Sequence, residues 1–157
     1  MIPSYTLCFI TRSNSMLLLL RNKPPNKGLW NGVGGKIEQG ETPLDSCLRE
    51  VHEETGFRLD AVRYCGVLSW VGHEVADGGV YLFTAVAPNG DYSECSEGIL
   101  KWHPLEWVFS SPDVVSNIQF FGPSIVNCEQ PKLYHFDYRG NEIIGHNVSS
   151  LPEGYNI

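Results

Sequence analysis

The sequence predicts an α/β domain of the α+β kind, a mixed sheet with a small number of helices. Three observations predict it. Hydrophobic residues make up 42% of 157, enough for a buried core and too many for a disordered chain. Short stretches rich in leucine, β-branched and aromatic residues recur between turn residues, as strands do. Only about two stretches carry helical spacing, and strands mixed with few helices give a mixed sheet. The length suits one domain, placed at residues 1–147, with 148–157 as a polar, frayed tail.

The elements follow in order. YTLCFIT (5–11) and SMLLLLR (15–21) read as two strands joined at Ser13-Asn14. NKPPNKG (22–28) is a loop, because its prolines exclude a helix or a central strand. LWNGVGGK (29–36) holds three glycines, a mark of close backbone approach. Thr42-Pro43 opens a helix: threonine caps, proline fits the first turn, and Asp45 complements the dipole. Gly56 ends it. Residues 61–71 and 79–87 read as strands, the second with both faces covered. Residues 99–103 read as a short strand, 104–109 as a short helix and 112–121 as a second helix started by Pro112. A hairpin joins 132–138 to 142–145.

Composition narrows the function. Lys plus Arg is 11 and Asp plus Glu is 18, a net charge of −7. Binding to a nucleic acid polymer needs a basic surface and is not expected. A polyphosphate remains possible when metal cations stand between it and the protein. Cys8, Cys47, Cys65, Cys95 and Cys128 are scattered, with no Cys-x-x-Cys. Reduced thiols are therefore expected, without a disulfide framework or a structural zinc. The apolar run 16–20 is too short to cross a bilayer, and no signal peptide is visible. A cytoplasmic protein with no membrane partner is expected, as a monomer or a homodimer.

The helix from Pro43 to about Thr55 carries the chemistry. Leu44, Cys47, Leu48 and Val51 form an apolar stripe, and Glu50, Glu53 and Glu54 share a neighbouring face. Glu54 falls beside the Cys47 edge of the stripe, where a bare charge is costly to bury. Three carboxylates near a helix C-terminus repel one another and oppose the dipole. Arg49 offsets only one. A hard divalent cation reverses these terms, and oxygen ligands suit Mg²⁺ or Mn²⁺. An ordinary solvated acidic face is the alternative on the helix alone.

The wider pattern resembles a known motif. Gly35, five residues, Glu41, seven residues, Arg49-Glu50-Val51, one residue, Glu53-Glu54, one residue, Gly56-Phe57 is similar to the Nudix box. Its seven identities arise by chance at about 10⁻⁸ per start position. The resemblance implies a mixed sheet sandwiched between helices, with a loop–helix–loop catalytic motif. It implies Mg²⁺ ligation by Glu50, Glu53 and Glu54, an ion pair of Glu41 with Arg49 that braces the loop, and a Gly35 that lets the strand pass close to the metal. It implies hydrolysis of a nucleoside diphosphate linked to another group, by water in line at phosphorus.

The likeness extends over roughly 4–147. LWNGVGGK is similar to the segment before the box in the MutT-type subgroup, which includes 8-oxo-dGTP diphosphatases. The resemblance assigns Asn31 to the purine base and Glu97, with Glu94 competing, to a further metal site. Gly34, Gly35 and Lys36 flank the substrate, and Arg21 and Lys23 are candidates for its phosphates. Where animal members carry Trp-Pro-Asp-Asp, this chain has Ser111-Pro112-Asp113-Val114, so Asp113 is kept while the tryptophan and second aspartate are absent. Phe120 or Phe121 is an alternative aromatic wall or a core residue. The likeness to bacterial MutT/MutX-type proteins implies an oxidised purine triphosphate as substrate and nucleotide-pool sanitation, a form of DNA repair. A nucleotide sugar, a dinucleoside polyphosphate and a non-catalytic nucleotide sensor stay open as alternatives.

Overall fold

A computed structural model describes residues 2–157. Nine strands form one mixed sheet: β1 (Tyr5–Arg12), β2 (Ser15–Arg21), β3 (Trp30–Asn31), β4 (Val33–Lys36), β5 (Arg63–His73), β6 (Gly78–Val86), β7 (Gly98–Pro104), β8 (Lys132–Gly140) and β9 (Glu142–Ser150). Their order is β3-β2-β1-β6-β5-β8-β9, with β4 added on β1 and β7 on β2. The β1–β6 and β5–β8 pairs are parallel and the others antiparallel. The helices are α1 (Pro43–Thr55), α2 (Leu105–Val108) and α3 (Ile118–Val126), and a 3-10 turn spans Glu153–Tyr155. No helix among the described residues is long and apolar enough to cross a membrane.

Strand alternation divides the core into two layers. Phe9, Leu18, Leu82 and Phe136 point to the side of α2 and α3, where Phe121 and Ile125 meet them. Ile10, Leu17 and Phe83 point to the other side, where Cys47 and Val51 of α1 cover them. Each fully buried side chain of this size contributes about 1.5–3 kcal/mol. Alternate residues of β6 enter both layers, as its sequence predicts. Behind α1, Phe57 is held by the Arg12 guanidinium, 5.9 Å from its ring centre. That same group donates hydrogen bonds to the Pro88 and Gly90 carbonyls.

Four expectations need correction. The helix expected at 112–121 lies at Ile118–Val126. The Trp30 amide donates to the Asp113 carbonyl and the Val115 amide to the Trp30 carbonyl, so β3 holds this segment extended. The frayed tail is ordered: β9 pairs with β8 through Ser150, and Leu151 and Tyr155 pack on the α1-side core. Leu44 is not part of the buried stripe but 42% exposed; the inward face of α1 carries Ser46, Cys47, Val51, Glu54 and Thr55. The thiols are not all reduced. Cys65 of β5 and Cys128 beyond α3 form a disulfide, with Cα atoms 6.1 Å apart at a sequence separation of 63. Spacing in sequence carries no sign of that contact, because the parallel β5–β8 pairing creates it.

Candidate active site

The site begins with two glycines and a well-capped helix. The Thr42 hydroxyl accepts from the Asp45 amide at 3.1 Å, and Asp45 Oδ2 accepts from the Thr42 amide at 3.2 Å. This reciprocal cap starts α1, and Gly56, at φ 79°, stops it. The strand β4 then lies directly against α1. A Cβ at Gly34 would strike the Thr6 carbonyl, and one at Gly35 would strike the Glu50 carboxylate. Only glycine lets the backbone come this close.

Arg49 organises the outer half of the site. Its Nε and Nη2 donate to the two oxygens of Glu41 at 2.7 and 2.9 Å, a forked pair. Its Nη1 reaches Glu50 Oε1 at 3.0 Å and Glu53 Oε2 at 3.3 Å, and Nη2 donates to the Lys36 carbonyl at 3.1 Å. The hydrogen bond from Arg49 lowers the Glu41 pKa to about 2, helped by the Glu38 amide. Box residues from the loop, the strand and the helix are thus tied at one guanidinium.

The inner half is different. Glu54 is 3% exposed. Its Oε2 accepts the Gly34 amide at 2.8 Å, while Oε1 is buried with no hydrogen-bond partner. Burial raises its pKa most, then the adjacent Glu97 carboxyl and the charge of Glu50, to about 9. Glu50 is also raised, by burial first, against the lowering effect of Arg49. Glu97 reaches this place from the β6–β7 loop. Its amide donates to Cys95 Sγ at 3.4 Å and its carbonyl accepts from the Asn22 amide at 3.1 Å. Glu94 is exposed.

The structure therefore brings Glu50, Glu54 and Glu97 together and turns Glu53 outward to Arg49. No three His, Cys, Asp or Glu side chains converge as a closed ligand set among the described residues. The donor set nevertheless fits a hard divalent cation: carboxylate oxygens only, one of them buried and without a donor.

The remaining expected residues take several places. The Asn31 side-chain oxygen accepts from the Gly32 amide at 2.8 Å, the contact of a turn residue. Asp113 lies beside it through the Trp30 backbone. Arg21 donates to the Lys23 and Pro24 carbonyls of its own loop, and Lys23 is exposed. Phe121 belongs to the core, whereas Phe120 is exposed against His146. Sequence reasoning missed Asn22 and Cys95, which fix the Glu97 backbone, and the ring cluster in which buried His103 lies between the partly buried Trp30 and Trp107. Their roles depend on contacts between distant segments, and nothing in local spacing marks them.

A mixed sheet with a carboxylate helix packed on a glycine strand is the arrangement of a hydrolase fold, and comparison with known proteins identifies its family. A model of the NUDIX domain matches residues 1–121. The chain belongs to the Nudix family and is an enzyme of its hydrolase class. It is 34% identical over 107 residues to the oxidized purine nucleoside triphosphate hydrolase of Mus musculus, covering 66% of this chain and 67% of that one. The protein of the same description from Danio rerio is 28% identical over 142 residues, 88% of each chain. The crystal structure of the MutT protein from Bacillus halodurans superposes with a TM-score of 0.80 at 24% identity, over 94% of this chain and 97% of that one.

Proposed function

We propose that the protein is a Mg²⁺-dependent pyrophosphohydrolase that cleaves a nucleoside triphosphate, with an oxidised purine such as 8-oxo-dGTP as the preferred substrate. The products are a nucleoside monophosphate and pyrophosphate, and the role is sanitation of the cytoplasmic nucleotide pool. The observation that carries this reading is Glu54, a buried carboxyl beside Glu97 with one oxygen fixed by Gly34 and the other buried without a hydrogen-bond partner. Two relatives that act on oxidised purine nucleoside triphosphates support the substrate class.

Glu50, Glu54 and Glu97 would hold Mg²⁺, or Mn²⁺ in its place, with Glu53 at the outer margin. When bound, the cation neutralises phosphate oxygens and lowers the pKa of water. Arg49 and Glu41 keep the loop, strand and helix in one arrangement, so the carboxylates do not drift apart. Gly34 and Gly35 bring β4 close against the site carboxylates, so that bound phosphates lie beside this strand, and Lys36, Arg21 and Lys23 add positive charge at the rim. One site carboxylate orients the attacking water and takes its proton. Water adds to one phosphorus as its bond to the bridging oxygen breaks. Asn31 and Asp113 meet the base.

The test is a panel of canonical and oxidised nucleoside triphosphates, a nucleotide sugar and a dinucleoside polyphosphate, each with Mg²⁺. Pyrophosphate release highest with an oxidised purine is the expected result. Fastest turnover on a nucleotide sugar or a dinucleoside polyphosphate would move the assignment to that class, and binding without any turnover would leave a sensor.

A further inference from the structure

Trp30 connects the two residues assigned to the base. It precedes Asn31 in β3. Its amide donates to the Asp113 carbonyl at 2.9 Å, and its carbonyl accepts from the Val115 amide at 3.0 Å. The position of Trp30 therefore sets the positions of both Asn31 and Asp113. The Trp30 ring is itself held from below. His103 of β7 meets it edge-on, with ring centres 4.4 Å apart and planes at 76°. On its other side His103 lies flat on Trp107 of α2, with centres 4.1 Å apart and planes at 13°. His103 is 7% exposed, and its Nε2 has no hydrogen-bond partner. Met16 faces it across the β2–β7 pair.

The chemistry of this histidine is unusual for its place. A buried polar atom without a partner is destabilising, and a leucine would avoid that cost. What leucine lacks is a flat ring able to stack on one tryptophan and present an edge to another. We infer that His103 is a positioning residue for base selection. It acts through Trp30, holding Asn31 and Asp113 at the spacing that discriminates one base from another, while the phosphate end of the site, built on α1 and β4, does not depend on it. The inference rests on the proposed nucleoside triphosphate hydrolysis and assigns part of its selectivity.

The experiment compares His103→Leu and His103→Phe in the full chain with Mg²⁺. Leucine keeps an apolar side chain in the core but removes the plane, whereas phenylalanine keeps the plane. Purine and pyrimidine nucleoside triphosphates are assayed as a set, since they share the phosphates and differ in the base. His103→Leu is expected to raise KM for the preferred base with little change in kcat. The kcat/KM ratio between bases should then fall about tenfold, the effect of one hydrogen bond lost. His103→Phe is expected to restore the ratio.

Trp107→Leu removes the outer plate of the stack and should shift the ratio in the same direction, which keeps the test decisive if His103→Leu does not fold. An unchanged ratio in a folded His103→Leu overturns the inference, as does an equal loss of kcat for every base. A wild-type chain inactive on all nucleoside triphosphates overturns the proposed function instead, so the two failures are distinct.

Discussion

Glu41 and Glu54 are the same residue type, in the same motif, on two sides of one arginine network. Glu41 is held by the Arg49 fork and its carboxyl sits well below the usual range, at about 2. Glu54 is buried away from any cation and its carboxyl rises to about 9. Their surroundings differ in kind: Glu41 has a guanidinium against it, and Glu54 has burial and two neighbouring carboxyls. A carboxylate already paired within the protein braces, and one that keeps its proton for want of a cation is available to a metal ion.

The strongest way to break this comparison is Glu54→Gln. Turnover should fall by at least about 10²-fold while the circular dichroism spectrum stays native. Full turnover in a folded variant would place the chemistry elsewhere. The next test adds Mg²⁺ without substrate. At one hundred times its dissociation constant the ion should stabilise the wild type by about 2.7 kcal/mol, measured by denaturant unfolding, and should do much less for Glu54→Gln. Arg49→Lys sharpens the other side. A lysine cannot fork, so activity should fall about tenfold through misplaced carboxylates, less than for Glu54→Gln.

The smallest effect is in pH. Glu54 binds its proton more tightly in the folded chain, near 9, than at its ordinary value of 4.5. The folded state therefore holds more protons across that interval, and its stability falls as pH rises through it. Melting in chelator should show this decline in the wild type, and a shallower one in Glu54→Gln. An identical slope in both would mean that the Glu54 carboxyl is not raised.

These features were unequally visible in the sequence. Helix α1 could be placed to the residue because its signals are local: Thr42 caps, Pro43 starts and Gly56 stops. The partial burial of Glu54 follows from its angle to Cys47, yet Leu44, which the same spacing puts in the apolar stripe, is exposed. Angles within one helix cannot tell which side faces the sheet. The segment after Pro112 defeated local reading, because its backbone bonds go to Trp30, more than eighty residues earlier. Helix α3 also tolerates Pro123 within it, where sequence rules expect a break. The box resemblance gave the Glu41–Arg49 brace, and the Cys47 angle gave the burial of Glu54, but neither gave Glu53 turned outward to Arg49. That arrangement depends on Gly34, Glu97 and Arg49 meeting in space.

The disulfide has a consequence for how the molecule comes apart. Cys65 and Cys128 enclose β6, β7, α2 and α3 in a covalent ring. A protease that nicks the backbone once inside that ring severs the polypeptide but releases no fragment, and the two pieces separate on a denaturing gel only after a thiol reductant is added.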